Sequence, residues 1–496
     1  MPLDSEKKRL EARLLTLLNQ ALRERNRDDI VTTSLELGAL YYSGDLYDKS
    51  EEYFRGVLED PVAQLARPEE KTRAEAGIAR VLLTRGHLTL AREAFERAEK
   101  HFDEPGEVAW ETRKLRCEHG LLSGHYTDVV DAIRRMITKE SVEGDTRVDM
   151  MILEARARRL LGGNRDAVRL LEKALESAQS LGYDLGTADT RSELGAVLGA
   201  LGQFKRGHEL LAEALRSDEG MGRQHRLDRD RQRMGVLLTH MGRWNDAEAL
   251  LRAAHVSGRE LRTLENRLAS QLGLATLHSY RGNLAEANDL AREVMEVARA
   301  AGFVLLQVEG LTAVANIAVD SGRGREALEA AQEAAALYAR MAAKSDCMVH
   351  VQAALGRAHG ALGHADAALD HLTRAGSLAQ DTGNDYERHR VDSLLGAHFC
   401  GTNETDKAAS VLSQAASDLG ALGAKYHVAI TRLGFAELLA ETCQTRSADE
   451  HTREVKLARS NLFEARRLFE GMGAATRLEQ ITALETRLAN ATASSD

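Results

Sequence analysis

The chain has 496 residues, more than a single hydrophobic core usually supports, so it either splits into domains or repeats a small unit. Aromatic residues make up only 4%, and the four prolines, Pro2, Pro61, Pro68 and Pro105, leave Gly106 to Asp496 without the strongest helix breaker, which favours a helical array over any sheet. The formal net charge of −10 comes from 76 acidic and 66 basic residues mixed along the chain, a balance that argues against nucleic acid as a partner.

Residues 1–30 read as one charged amphipathic helix, from about Ser5 to Arg25, that caps the first repeat, because the exposed end of a stacked array has to be covered. It lacks the apolar core and cleavage site of a secretory signal, and no apolar run in the chain is long enough to span a bilayer. The cysteines, Cys117, Cys347, Cys400 and Cys443, are far apart with no CxxC spacing and read as free thiols in a reducing cytoplasm. Glu59 to Lys71, which holds two of the prolines, is the expected irregular connection.

The body of the chain declares its period through its turns. Gly44, Gly86, Gly124, Gly162, Gly202, Gly242, Gly282, Gly322 and Gly363 are followed by Asn403 in the same role, at spacings of 38 to 42 residues. Glycine closes a helix there because it accepts the left-handed conformation of a tight exit, and asparagine is the usual substitute. Seven residues before each turn from Gly86 onward lies a small residue, from Ala79 and Cys117 to Gly356 and Gly396. Five after it lies another, from Ala91 and Val129 to Ala368 and Ala408. Small side chains on both sides let two antiparallel helix axes approach closely. Nine residues after the turn come Phe95, Ile133, Leu171, Leu211, Leu251, Ala291, Ala331, Leu372 and Leu412, placed to fill the space between adjacent hairpins. Near the C-terminus the period breaks between Thr442 and Glu454, which reads as a loop insertion. Helices from Leu457 to Phe469 and from about Ala475 to Leu488 then close the stack, with a disordered tail from Asn490.

At Leu194-Gly195, Gly202, Gly207, Leu211 and Ala214, and again at Leu355-Gly356, Gly363, Ala368, Leu372 and Ala375, the unit resembles the tetratricopeptide repeat. The resemblance covers roughly residues 32 to 470. Two departures, a unit near 40 residues instead of 34 and no proline at the end of the second helix, imply longer helices and a variant pitch. The long unit is similar to the repeat half of bacterial maltose-activator-type regulators and of kinase-linked activators, whose ATPase, kinase and DNA-binding modules this chain does not show. The fold class implied is all-α, a right-handed α-solenoid of about 10–11 helix hairpins, with a capping helix in 1–30, repeats in 31–435, and an irregular last hairpin, capping helix and tail in 436–496.

The chemistry of an enzyme is not visible. There is no Gly-Lys dipeptide for a P-loop, no HExxH and no GxSxG elbow. His359, His364 and His371 fall across a turn onto different helices, a spacing that favours solvated histidines over a metal site. No cofactor and no metal is expected. The densest basic segment, Arg223, His225, Arg226, Arg229, Arg231 and Arg233, is either a positive rim for an acidic partner or a solvated loop whose arginines pair locally with Asp228 and Asp230; the second reading carries more weight.

The resemblance implies that the first helix of each hairpin lines a concave groove. Projected there, as candidate partner-binding residues, are Arg80, Arg156, Arg159, Asp189, Arg229, Gln232, Thr239, Asn316, Arg357 and Arg390. Asn316 and Arg357 match slots where family members hold a peptide's terminal carboxylate, but Thr312 and Ala353 break the rest of that pattern. The function expected is a non-enzymatic cytoplasmic scaffold or adaptor in bacterial signalling, binding a protein or peptide, such as a kinase or transcription regulator, through the groove. The alternative is a ligand-sensing solenoid acting on a separate effector chain, which requires a compact apolar pocket.

Overall fold

The computed structural model describes residues 5–59, 61–64, 66–101, 107–139, 142–341, 346–402, 404–442 and 448–493. These residues form 24 α-helices and two short 3-10 turns, with no strand among the described residues. Helix α1 (Ser5–Glu24) precedes the hairpins α2 (Arg27–Ser43)/α3 (Tyr47–Leu58), α4 (Pro68–Arg85)/α5 (Leu88–Ala98), α6 (Glu107–Leu122)/α7 (Tyr126–Lys139), α8 (Gly144–Leu160)/α9 (Asn164–Leu181) and α10 (Asp184–Ala200)/α11 (Phe204–Gly220). They continue as α12 (Gln224–His240)/α13 (Trp244–Glu260), α14 (Leu264–Arg281)/α15 (Leu284–Ala301), α16 (Val304–Asp320)/α17 (Gly324–Ala339), α18 (Asp346–Ala361)/α19 (Ala365–Asp381), α20 (Asp385–Gly401)/α21 (Thr405–Leu422) and α22 (Lys425–Thr442)/α23 (Ala448–Met472), closed by α24 (Ala475–Ala493).

The turn glycines do what the spacing requires. Gly86, Gly124, Gly162, Gly202, Gly242, Gly282, Gly322 and Gly363 all have φ between 73° and 89°, where a side chain is strained. Gly44 departs from the series: its φ is −100°, and the left-handed residue of that turn is Asp45. Asn403 lies outside the described residues. The small pairs sit where helix axes cross. A Cβ on Gly207 would lie 2.8 Å from the Gly195 carbonyl oxygen, closer than van der Waals contact permits. The filler residues from Phe95 to Leu412 are all buried.

A second series of left-handed residues ends the second helices: Gly182, Gly222, Arg262, Gly302, Gly383 and Gly423. It replaces the absent proline as the helix stop. At the C-terminus the helix expected from Leu457 begins nine residues earlier at Ala448, so the insertion is shorter than the polar composition implies. The last helix runs on to Ala493 through residues read as a tail.

The hairpins stack into a coil whose successive turns touch. The Asn164 side chain donates to the Thr382 carbonyl at 3.2 Å across 218 residues, and His225 Nδ1 lies 3.1 Å from Asp45 Oδ1 across 180. Each separation is roughly five 40-residue units, so the coil closes on itself after about five hairpins. Apolar clusters follow the same rule. One joins Phe95 and Leu115 to Leu268 and Phe303, another joins Ile133 and Leu153 to Val308 and Tyr338, and a third joins Leu211 and Trp244 to Tyr386, Leu412 and Phe469. The core therefore lies between turns as well as between neighbouring hairpins. The concave side therefore lies within a coil whose successive turns touch.

Candidate functional site: the inner face

First helices supply the inner face, and helix α12 supplies its densest charge. Arg223, at the N-cap, and Arg226, Arg229 and Arg233, on the helix, recur at intervals of three and four, one face of a helix. They meet acids from α10 of the preceding hairpin. Asp189 lies 3.3 Å from Arg223, 3.7 Å from Arg226 and 3.0 Å from Arg229, and Glu193 lies 2.5 Å from Arg233 and 4.0 Å from Arg229. The basic segment is thus helical, and most of its arginines pair with α10 of the preceding hairpin; Arg231 and Arg223 also take local partners, Asp228 at 3.2 Å and Asp218 at 2.8 Å.

Burial alone raises a carboxyl's pKa, yet Arg226, Arg229 and Arg223 hold Asp189 well below the usual carboxylate range, and Arg233, Arg156 and Arg229 bring Glu193 down to about 2. Arg229 is pulled down to about 10 by burial and by its neighbours Arg226 and Arg233, and its Nε has no hydrogen-bond partner. Asp230, one helical turn from both Arg226 and Arg233 on α12, is fully buried and pushed up to about 7 by burial, with Arg229 opposing the effect and Asp218 adding to it. Ser192 Oγ donates to Asp230, and Arg233 donates to that hydroxyl oxygen at 2.7 Å.

Arg156 on α8 reaches Glu193 at 3.6 Å and Glu265 on α14 at 3.8 Å. Helices α8 and α14 are three hairpins apart in a coil that closes after about five, so the second contact bridges opposite sides of the coil. Burial raises the pKa of Glu309 on α16, and the charges of His350 and, less strongly, Arg159 oppose it. Arg80 pairs with Glu111 and lies 5.4 Å from the Tyr42 ring centre. In the second turn of the coil, Arg357 donates to Asn316 Oδ1 at 2.7 Å and to Asp320 at 2.5 Å, while Arg390 and His350 grip Glu387 at 2.7 and 3.1 Å. Tyr386 Oη lies 3.0 Å from His240 Nδ1 and 3.1 Å from His427 Nδ1, and burial lowers the pKa of both histidines.

The structure brings Arg156, Asp189 and Arg229 into one cluster and Asn316 and Arg357 into another; Arg80 pairs with Glu111 and Arg390 with Glu387, and Arg159 joins neither cluster. Gln232 is half-buried on α12. Thr239 is a correction: it is 2% exposed, and its hydroxyl donates to the Gly235 carbonyl of its own helix, so it presents nothing to a partner. Sequence reasoning missed Glu193 and Glu265 and did not place Arg226 with Asp189 or Arg233 with Glu193; the three-and-four spacing of the α12 arginines was the signal available. Among the described residues no group of three or more His, Cys, Asp or Glu could hold a metal ion. The cysteines Cys117, Cys347 and Cys400 are free thiols, and Cys443 lies outside the described residues. A cleft of about 580 Å³ at the seam between α9 and α20 is lined by Arg165, Val168, Arg169, Leu201, Gln203 and Asp385, a mixed polar and apolar wall open to solvent.

Residues 267–301, most of the α14/α15 hairpin, match the family model described as a tetratricopeptide repeat. The fold is a tetratricopeptide-type solenoid. A Rap protein complexed with Competence and Sporulation Factor is similar in structure, with a TM-score of 0.56 and 13% identity, covering 71% of this chain and 99% of that one. The Cut9–Hcn1 hetero-tetramer of APC/C gives a TM-score of 0.48 at 13% identity, covering 94% and 95%. NprR in complex with its cognate peptide NprX gives 0.48 at 13%, covering 68% and 98%. No curated protein matches the sequence. No described helix is long and apolar enough to cross a membrane.

Proposed function

We propose that this tetratricopeptide-type solenoid is a non-enzymatic scaffold that binds a protein or peptide partner through its inner face in bacterial signalling, acting in the cytoplasm. The observation that carries the reading is the concentration of arginine, carboxylate and amide side chains on the first helices, facing inward from many consecutive hairpins. Such a face offers repeated hydrogen-bonding and charge contacts to an extended segment but no set of nucleophile, base and orienting group for catalysis. The fold shared with a Rap protein, itself complexed with Competence and Sporulation Factor, supports a solenoid that takes a binding partner. In this reading α1 and the α23/α24 end are caps, Arg80, Arg156, Arg159, Asp189, Arg229, Asn316, Arg357 and Arg390 contribute partner contacts, and a kinase or transcription regulator is the class of partner.

The test is site-specific photo-cross-linking in host lysate, with the probe placed either at Gln232 on the inner face or at Glu329 on α17. A protein cross-linked from Gln232 and not from Glu329 supports the reading. Equal recovery from both sites, or recovery from Glu329 alone, removes the inner face as the binding surface.

A further inference from the structure

Helix α1 has the pattern of a hairpin's second helix, but no first helix stands beside it among the described residues. Like α13, it is followed by a left-handed arginine, Arg25 in the place of Arg262. At 15, 11, 8 and 4 residues before that arginine α13 buries Ala247, Leu251, Ala254 and Gly258, and α9, α11, α15, α19, α21 and α23 bury the same four positions. In α1 these positions hold Leu10, Leu14, Leu17 and Ala21. Leu14 and Ala21 are 4% and 2% exposed, whereas Leu10 and Leu17 are 44% and 42% exposed. Elsewhere this side of a second helix meets the first helix of its own hairpin, as Gly207 of α11 meets Gly195 of α10. Two further residues border the same open side. Glu36 of α2 is exposed, whereas Gly77, Glu193 and Gly273, also nine residues before the left-handed residue of their turns, are buried against the preceding hairpin, on Phe54, Arg156 and Leu251. Asp45, after the end of α2, meets His225, and one hairpin earlier the counterpart of His225 is Leu185, which is 42% exposed.

We infer that a second copy of this chain covers this side: two α1 helices pack antiparallel about a two-fold axis, Leu10 of each against Leu17 of the other. A two-fold contact uses one surface twice, and two leucines seven residues apart on one helix face satisfy that condition. The register of α1 on α2 is set by Lys7, which donates to the Ser43 carbonyl, and by Tyr41, which donates to Glu11, both at 2.8 Å. Consecutive helices are antiparallel, so the incoming α1 runs parallel to α2. Pairing Leu10 with Leu17 then sets the exposed Arg13 of the second copy level with Glu36, and the two-fold axis repeats the pair. The last helix cannot take this part: α24 exposes Glu479, Thr482 and Thr486 and no large apolar residue among its described side chains, so it caps the stack against water. The inference concerns a surface apart from the inner face and stands independently of the scaffold reading.

The experiment is sedimentation velocity on the full chain over about 1–100 μM, a range suited to a contact of one helix pair. It compares the wild type with Leu10→Gln/Leu17→Gln, with Arg13→Glu and Glu36→Arg singly, and with the charge swap Arg13→Glu/Glu36→Arg, using circular dichroism as a check on helicity. Expected is a species of twice the 54.4 kDa chain mass that saturates at two copies and is lost in the leucine variant. Either single reversal weakens it about tenfold, because two attractive pairs become repulsive, and the swap restores it. A monomer at every concentration, growth beyond two copies, a dimer untouched by the leucine variant, or a swap no better than the single reversals overturns the inference. Should the leucine variant lose helicity, the swap decides alone. A partner cross-linked from Gln232 in a protein that stays monomeric leaves the scaffold reading intact while this inference falls.

Discussion

At the scale of single residues, packing and buried charge make opposite demands on composition. Gly207 and Gly195 face each other because no larger pair fits at that helix crossing: the obstacle to a Cβ on Gly207 is backbone, at 2.8 Å, which cannot swing aside. Gly207→Ala is therefore expected to destabilise the protein by about 1–3 kcal/mol, read as a lowered urea midpoint. Asp230 tests the buried charge. Its folded pKa of about 7 lies above the ordinary aspartate value of about 3.9, so the folded protein holds a proton that the unfolded chain releases. Its contribution to stability is complete below about pH 3.9 and is lost as pH rises toward 7. Asp230→Asn, which keeps the shape and removes the charge, should thus gain on the wild type between pH 4.5 and pH 8. A gap that stays constant across that range in urea titrations contradicts the assignment. The site was only partly legible at this scale. Arg156, Asp189 and Arg229 could be projected inward from their offsets to the turn, but Thr239 has the same offset logic and is buried, because a hydroxyl can satisfy itself on its own helix.

At the scale of elements, the repeat was legible because glycine marks each helix exit and small residues mark each crossing, both steric requirements that hold wherever the hairpin recurs. The second left-handed series is less legible, because its residues stand one or two positions beyond their helices and one of them is arginine, so no single offset marks it. Its one irregular member makes a prediction: Arg262 has φ 56°, a conformation that costs an L-residue with a side chain about 1–2 kcal/mol, and it gains only a 3.6 Å contact with the exposed Asp48. Arg262→Gly should raise stability by about 1 kcal/mol, against the usual penalty for adding glycine, and a lowered melting temperature would show that the side chain contributes more than its backbone costs. The early start of α23 was hidden for a different reason. Ala448 to His451 is polar and reads as loop by composition, but Val455, Ala458 and Leu462 lie on one buried face that continues the helix, and tertiary burial outweighs local polarity.

At the scale of the whole molecule, the property that sequence periodicity could not reveal is how far the coil advances per turn. Period and filler residues fix how one hairpin meets the next; the pitch depends on small rotations accumulated over five hairpins, and only the contacts between turns record it. Those contacts set the inner face within the coil, bring Glu265 opposite Arg156, and place His225 of one turn on Asp45 of the other. A Cβ on Gly242 would lie 3.1 Å from that of Lys425, although the two are far apart in the chain. This separation is close to the roughly 3.5–4.5 Å of a disulfide, and the cross-link has to bear the strain of a side chain at φ 76° and the displacement of the flexible Met472 side chain, whose sulfur lies 2.9 Å away. The most direct measurement is therefore oxidation of the Gly242→Cys, Lys425→Cys double variant, followed by non-reducing electrophoresis and peptide mapping against each single variant. Rapid formation of a 242–425 cross-link in the native protein, absent in urea, is the result expected of a coil whose turns touch. Cysteines that remain reduced in a double variant as stable as the wild type would contradict it, leaving an open solenoid whose turns do not meet.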